Sequence, residues 1–183
     1  KYLYNQQKIS TRKAKVQTQL ATNTKIGTLS DDLIGSLQSI KIQSQIKKTE
    51  NYLQNAGTVN EFMTASLISL DNVTAEMQKI MITITNAENP LNVQNYTTMA
   101  QSVKDSLSAV VQSINAKHND MYLFGGTNYQ DKPAAIDPAT GKSIVSTADL
   151  SGEVKIQISQ NTTQTMNIPG SKVLSTGLFE SIN

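Results

Sequence analysis

The chain has 183 residues and a mass of 19.9 kDa, enough for one ordinary domain or for a rod with a small appendage. It contains no cysteine and one histidine, which excludes disulfides, thiolate metal sites, a cysteine nucleophile and a histidine cluster for zinc. The net charge of +2 is too small for electrostatic binding to nucleic acid or an anionic membrane, and no apolar run is long enough to span a bilayer.

Residues 1–22 predict a polar helix, because their few apolar side chains recur at helical spacing. The stripe consists of Leu3, Ile9, Val16 and Leu20. This stripe contains too few apolar residues for the helix to be stable by its own packing. The segment from Thr22 to Leu29 reads as a loop.

A second helix is predicted to begin at Ser30, a residue type that favours the N-cap. Asp31 and Asp32 then fall in the first turn, where the helix dipole favours negative charge. Leu29 and Ile34 occupy the two positions of a hydrophobic staple. We interpret Ser30, Asp31 and Asp32 as a helix-start motif rather than as a carboxylate pair, because adjacent side chains on a helix diverge by about 100°.

The strongest pattern in the chain is a seam in which apolar residues alternate at spacings of four and three. Its members are Val59, Met63, Ser66, Leu70, Val73, Met77, Ile80 and Ile84. Such a repeat lets two helices bury a narrow stripe against each other. Thr58 and Glu61 form a capping box that favours a new helix after Gly57, whereas the apolar stripe continues across the glycine. We predict one long helix, because an interior glycine costs only about 1 kcal/mol.

A second seam follows a linker from Thr85 to Asn92 that contains the helix breaker Pro90. The members of this seam are Val93, Tyr96, Ala100, Val103, Leu107, Val110 and Ile114. Asn92 is the predicted N-cap, and the helix is expected to run to about residue 118, with His118 as a favourable cation at its C-terminal end. The short linker predicts that the two long helices lie antiparallel.

After residue 120 the periodicity changes to that of strands. Met121 to Phe124 leads into Gly125 and Gly126, and alternating residues between 154 and 158 and between 164 and 168 predict two further strands. The predicted fold class is α+β and mostly α: an elongated antiparallel hairpin or bundle of long helices with a small antiparallel β domain. The predicted domains are a terminal assembly helix and loop (1–28), a long-helix rod (29–120) and the β domain (121–183).

No pattern in the sequence predicts an active site. Gly141, Lys142 and Ser143 match the end of a phosphate-binding loop, but Ile136 stands where that motif needs glycine, so we interpret them as a hairpin turn. We therefore predict no catalytic, cofactor-binding or metal-binding residues, and a chain that is not an enzyme and needs no cofactor.

Several motifs together resemble the amino-terminal region of the flagellin superfamily. They are residues 15–22 (KVQTQLAT), Ile26, residues 30–32 (SDD), Gln45, Ile46, Tyr52, Asn55, Ala56, the two heptad helices and the turn motif Tyr122, Leu123, Phe124, Gly125, Gly126 and Thr127. The turn motif is similar to the Y-L-F-x-G-T of the hook–filament junction family, whereas flagellins usually have F-N-G-x-x-L. Leu29 and Leu33 depart from the family, which usually has proline on both sides of the Ser-Asp-Asp.

The resemblance implies a structural component of the bacterial flagellum, exported through the flagellar channel to an extracellular position between hook and filament. Its expected partners are other flagellar axial proteins (the hook-side junction protein and flagellin), copies of itself and an export chaperone, with no nucleic acid, membrane or small-molecule substrate. Leu3, Ile9, Val16 and Leu20 are the expected assembly interface.

We expect the sequence to be trimmed at both termini, since it begins at Lys1 rather than at methionine, and since the resemblance implies a family that continues beyond Leu178 and Phe179 into a long carboxy-terminal helix. Two alternatives remain open from the sequence. The chain could be flagellin itself, the filament subunit, or, from a different class, a helical sensor or signalling module whose β unit binds a ligand.

Overall fold

The computed structural model describes residues 1–23, 33–174 and 177, and it shows a mostly helical α+β chain. The helices are α1 (Tyr2–Thr22), α2 (Leu33–Ala87), a 3-10 helix (Pro90–Asn95), α3 (Tyr96–Ile114) and α4 (Gly170–Leu174). The strands are β1 (Lys117–His118), β2 (Met121–Tyr122), β3 (Ala134–Ile136), β4 (Ser143–Val145), β5 (Lys155–Ser159) and β6 (Thr162–Thr165). The chain divides into two compact units, Lys1–Asn51 and Tyr52–Asn183.

The first unit contains α1 and the beginning of α2. The predicted polar helix at the amino terminus is confirmed, and it ends at Asn23, whose φ of 53° is the left-handed conformation that often closes a helix. No residue of α1 is buried. The predicted helix start at Ser30, Asp31 and Asp32 lies outside the described residues.

Helix α2 runs through Gly57 without a break, so the prediction of one long helix is confirmed. A Cβ added at Gly57 would meet no atom within 4 Å, which shows that the glycine serves no close approach there. The Thr58 hydroxyl donates to the Gln54 carbonyl oxygen at 3.2 Å, back along the helix. The capping box of Thr58 and Glu61 is therefore not used.

In the second unit, α2 and α3 form the predicted antiparallel hairpin. The Ser69 hydroxyl donates to the Ser113 carbonyl oxygen at 2.5 Å, and farther along α2 the side chain of Glu76 is hydrogen-bonded to that of Ser106. Ser69 precedes Glu76 along α2, whereas its partner Ser113 follows Ser106 along α3, so the two helices run antiparallel. The seam is buried at Val59, Ser66, Val73, Ile80, Leu107, Val110 and Ile114.

The linker differs from its prediction. Asn92 is not the N-cap of α3, which begins at Tyr96 after Asn95, because a 3-10 helix stands between the two long helices. Asn89 caps that 3-10 helix by accepting a hydrogen bond from the Leu91 amide at 3.1 Å. The Asn92 side chain instead donates to the Asn86 carbonyl oxygen at 2.8 Å, which satisfies an acceptor near the end of α2. The longer connection also leaves Val93 exposed before α3 begins.

Helix α3 ends at Ile114, four residues earlier than predicted, and His118 belongs to β1 instead of a helix terminus. The cause is Asn115. Its side chain donates to the Ala134 carbonyl oxygen at 2.7 Å and accepts from the Ala134 amide at 3.1 Å, which directs the chain into the β region.

The predicted β region consists of three separate antiparallel pairs, β1–β2, β3–β4 and β5–β6. The turn predicted between Ile136 and Ile144 is confirmed, with Gly141 at a φ of +71°. Ile156 and Ile158 are half-buried and alternate with exposed neighbours, as predicted for this strand. Each described strand pairs with one other strand and joins no larger sheet. Because an isolated strand pair is at best marginally stable in water, these pairs need the helices to bury one of their faces.

Two clusters of buried side chains attach these β pairs to the helical hairpin. One joins the carboxy-terminal half of α3 to β3 through Val110, Ile114, Ala134, Leu150 and Leu174, together with Val73 of α2. The other joins α2 to β2 and to the residue after β6 through Val59, Phe62, Leu123, Phe124 and Met166. The core of the second unit therefore lies between the helices and the β pairs.

Candidate assembly surfaces

The α1 stripe that the sequence indicated as an interface is fully accessible. Ile9, Val16 and Leu20 are 67%, 52% and 76% exposed, and by the 100° helical repeat they share one line with Tyr2. Leu3 is also exposed but falls on a different face of the helix. The structure thus brings three of the four predicted interface residues into one row.

The beginning of α2 has the same character. Leu33, Ile34, Leu37, Ile40, Ile42 and Ile46 are all at least half exposed. By the 100° helical repeat, Leu33, Leu37 and Ile40 share one face of α2, whereas Ile42 and Ile46 lie on the opposite side. Exposed apolar side chains in this number normally pack against something, because each large apolar side chain gains roughly 1.5–3 kcal/mol on burial. Exposed apolar side chains on both helices, without a buried large apolar side chain among the described residues 1–23 and 33–51, are what a surface for assembly requires.

The turn motif from Tyr122 to Thr127 has a packing role. Tyr122, Leu123 and Phe124 are buried in the core of the second unit. Gly126 has a φ of +65°, and a Cβ there would come within 2.8 Å of the backbone of Leu150. The motif therefore fixes close backbone contacts that hold the β pairs to α2.

Glycines on the other side of this contact have the same function. A Cβ on Gly152 would collide with the Thr127 side chain, and one on Gly170 would collide with the Phe124 carbonyl oxygen. The residues of the turn motif and these two glycines pack as one block, and only Thr127 of the motif is exposed.

Two asparagines that the sequence did not single out each make two hydrogen bonds to backbone groups. Asn115 holds the backbone of Ala134, as described above. Asn167, 3% exposed, accepts from the Val154 amide at 2.7 Å and donates to the Gly152 carbonyl oxygen at 2.9 Å. The Asn167 side chain thus makes the hydrogen bonds that the backbone of a neighbouring strand would otherwise make to this segment. In a chain with so many asparagines, nothing in the sequence marks these two.

A third asparagine ties α2 to the β5–β6 pair. The Asn55 side chain donates to the Gln157 carbonyl oxygen at 2.8 Å. Nearby, the rings of Phe62 and His118 pack edge to face, with their centroids 6.0 Å apart. His118 Nε2 also lies 3.9 Å from Glu61 Oε2. These contacts position β1 and β5 against the same helix.

Three carboxylates of the second unit are stabilised in their ionised form by hydrogen bonds from nearby side chains and amides. A hydrogen bond from Lys79, and then one from Ser106, lowers the pKa of Glu76. Hydrogen bonds from Thr140 and from the Ala139 amide lower the pKa of Asp137. The Ser151 hydroxyl and amide do the same for the pKa of Asp149. Each carboxylate is thus stabilised mainly by neighbours in its own turn or helix rather than aimed at a shared point.

Two hollows in the second unit are lined mainly by apolar side chains. One, of about 220 Å³, opens between the end of α2 and the start of α3 and is lined by residues that include Ile84, Tyr96, Met99 and Val103. The other, of about 200 Å³, lies beside the turn motif and is lined by residues that include Phe62, Met121, Tyr129 and Met166. Neither contains a group of ionisable side chains.

Residues 1–23, 33–174 and 177 contain no group of three histidine, aspartate or glutamate side chains arranged to hold a metal ion. Among the helices that the structure describes, none combines the length and the apolar character that crossing a bilayer requires.

The solved structures on which this chain superimposes include flagellar proteins. A protein described as a flagellar hook-associated protein from Vibrio parahaemolyticus superimposes with a TM-score of 0.73 at 18% identity, over 82% of this chain and 66% of its own. The chain has the fold of flagellar hook-associated and junction proteins. The flagellar junction protein FlgL from Legionella pneumophila gives a TM-score of 0.58 at 19% identity, over 78% of this chain and 42% of its own.

FlgL from Xanthomonas campestris gives a TM-score of 0.54 at 15% identity, over 73% of this chain and 41% of its own. The chain therefore spans just under two thirds of the first of these structures and about two fifths of the other two. No protein-family model and no curated protein sequence matches it significantly. The likeness is one of fold.

Proposed function

We propose that the chain is a structural subunit of the bacterial flagellum at the junction between hook and filament, and that it acts by helix packing without catalysis. The observation that carries the proposal is the exposed apolar row of α1, in a unit where no residue of that helix is buried. Such a helix gains stability only when a partner covers it. The shared fold with flagellar junction structures supports the same role.

The proposal assigns each part of the chain a task. The segment 1–28 is the assembly helix and loop, residues 29–120 form the helical hairpin, and residues 121–183 form the small β domain. The protein acts extracellularly, after export through the flagellar channel. Its partners are the hook-side junction protein, flagellin and copies of itself, with an export chaperone before assembly.

Leu20→Glu tests the interface assignment in a bacterium that carries the protein on its flagella. A charge in an apolar contact is costly to desolvate, so we expect incorporation into flagella to fall at least about tenfold. Circular dichroism of the purified variant should match the wild type, because Leu20 is 76% exposed on a helix without a buried residue. Incorporation would be measured by immunoblotting of isolated flagella.

Leu91→Glu is the matched control, since Leu91 is 89% exposed and lies in the linker of the second unit. It should be incorporated normally. Wild-type incorporation of the Leu20→Glu protein would show that the α1 row is not an interface. A pull-down of the protein against the exported flagellar proteins tests its partners, and recovery of none of them would contradict the junction role.

A further inference from the structure

The outward face of α2 carries a second exposed heptad row, opposite the seam that packs on α3. Its members are Thr64, Ile68, Asp71, Ala75, Gln78 and Ile82, at spacings of 4, 3, 4, 3 and 4, and all six are exposed. Ile68 and Ile82 are 58% and 61% exposed. Within this row, Asp71 is the one charged residue.

Helix α1 carries a row with the same spacing. Its members are Tyr2, Gln6, Ile9, Lys13, Val16 and Leu20, all of them exposed. Here Lys13 is the one charged residue. A polar or charged residue at a seam position can fix the register of a coiled coil, and each row has one charged position and at least one further polar residue.

The two rows match when they run antiparallel. Lys13 then lies opposite Asp71, Gln6 opposite Gln78, and the remaining layers are Tyr2 with Ile82, Ile9 with Ala75, Val16 with Ile68 and Leu20 with Thr64. A parallel alignment of the same rows would place Ile9 opposite Asp71 and Lys13 opposite Ala75, leaving each charge against an apolar side chain. The chemistry therefore favours the antiparallel arrangement.

We propose that α1 of one copy pairs with the outward face of α2 of a second copy as an antiparallel coiled coil, in the register set by Lys13 and Asp71. Both rows are exposed in the same molecule, so each copy offers both halves of the contact. The inference rests on the proposed function and deepens it, because it names the partner of the α1 surface.

Charge segregation supports pairing between copies. Residues 1–51 contain 9 Lys and Arg against 3 Asp and Glu, a net charge of +6, whereas residues 52–183 contain 7 against 11, a net charge of −4. No acidic residue occurs in α1. The basic first part of one copy is thus attracted to the acidic second part of another, and opposite charge also selects partners.

A charge swap tests the register. Lys13→Asp and Asp71→Lys should each weaken the self-association constant at least about tenfold, because each places two like charges in one layer. An equimolar mixture of the two variants should associate more tightly than either does alone. In the mixture, the aspartate introduced in one variant faces the lysine introduced in the other, which restores a pair of opposite sign. Sedimentation velocity over a concentration series measures all three.

Lys8→Asp is the matched control, because Lys8 lies about 100° from the α1 row and should weaken association far less than Lys13→Asp does. Equal effects of the two substitutions would reduce the contact to general electrostatics and overturn the assigned register. A wild-type protein that stays monomeric at every concentration would overturn the pairing itself.

Cysteine cross-linking gives a second, independent readout, because the chain contains no cysteine of its own. A Val16→Cys protein mixed with an Ile68→Cys protein should form a disulfide-linked dimer under mild oxidation, since these positions share a layer. Val16→Cys mixed with Ile82→Cys is the out-of-register control, with its positions separated by about 20 Å along the helix. Equal yields from the two mixtures, or no dimer from the first, would contradict the proposal.

The outcomes separate this inference from the proposed function. If self-association fails while the flagellar pull-down succeeds, the α1 row binds another axial protein and only the inference is lost. If self-association has the proposed register while the pull-down recovers no flagellar protein, the inference stands and the junction role is lost.

Discussion

Asn167 shows how a single side chain determines local structure in this molecule. Its amide makes two hydrogen bonds to backbone groups of Gly152 and Val154 while almost completely buried. Buried backbone donors and acceptors must be paired, and no described strand is available at this position to pair them. Asn115 solves the same problem at the end of α3.

Asn167→Ala should lower the free energy of unfolding by about 2–3 kcal/mol, because it leaves one buried amide and one buried carbonyl without partners. Chemical denaturation of the two proteins measures the difference. Asn161→Ala, at the exposed turn between β5 and β6, is the control and should change stability by less than about 0.5 kcal/mol. Equal effects would mean that the Asn167 hydrogen bonds are not important for stability.

Two glycines predict opposite results for the same substitution. Gly57→Ala should raise the free energy of unfolding by roughly 0.5–1 kcal/mol, since alanine favours the helix and its Cβ meets open space. Gly170→Ala should lower it by more than about 1 kcal/mol, because the added Cβ would collide with the Phe124 carbonyl oxygen. Thermal and chemical unfolding of both variants check the signs, and a stabilising Gly170→Ala would refute the close packing of the turn motif.

At the scale of elements, the α2–α3 hairpin is held by a buried seam and by a few polar contacts that set its register. Ser69 bonds to the backbone of α3, and Glu76 is hydrogen-bonded to Ser106. The Glu76 side chain is also paired with Lys79 on its own helix at 2.6 Å. These contacts fix how the two seams lie against each other, which apolar packing leaves less specific.

The Glu76 contact predicts a pH dependence. Because folding lowers the pKa of this carboxyl group, its contribution to stability is present above the unfolded pKa and is lost as the pH falls through the folded pKa. Glu76→Gln should therefore destabilise the protein at neutral pH, and the difference from wild type should disappear in acid. Urea denaturation at a series of pH values measures it.

Ser106→Ala isolates the part of this effect that crosses between the helices. It should raise the pKa of Glu76 toward its ordinary value, as followed by an NMR titration of the Glu76 carboxyl carbon. Ser108→Ala is the matched control, because the Ser108 hydroxyl donates to the Lys104 carbonyl oxygen on its own helix. A pKa unchanged by Ser106→Ala would exclude the interhelical hydrogen bond.

At the scale of the whole molecule, the two compact units differ in what stabilises them. The unit of Tyr52–Asn183 contains both clusters of buried apolar side chains. In the unit of Lys1–Asn51, the described large apolar residues are exposed. Helical hydrogen bonds without a buried face are marginal in water, so the first unit is expected to open far more easily.

Limited proteolysis tests this difference on the intact protein. Trypsin should cleave in α1 and in the beginning of α2, for example at Arg12, Lys13 and Lys47, well before it cleaves at Lys79 or Lys104 of the hairpin. Mass spectrometry of the early fragments identifies the sites. Early cleavage inside the hairpin would contradict the assignment of stability to the second unit.

The sequence by itself determined the helices and their faces. The heptad seams, the continuity of α2 through Gly57 and the turn between Ile136 and Ile144 follow from local periodicity and turn chemistry, and the structure confirms them. The exposed α1 row could also be predicted, because a helix with so few apolar residues cannot form a core. These features depend on neighbours within a few turns of the same chain.

Only the tertiary structure decided where α3 ends and which asparagines bind distant backbone. Asn115 and Asn167 look like any other asparagine in the sequence, and their roles arise from groups that folding brings near them, such as the backbone of Ala134, 19 residues away in the case of Asn115. The physical reason is that a hydrogen bond between distant segments depends on the positions of both, and local sequence specifies the position of neither.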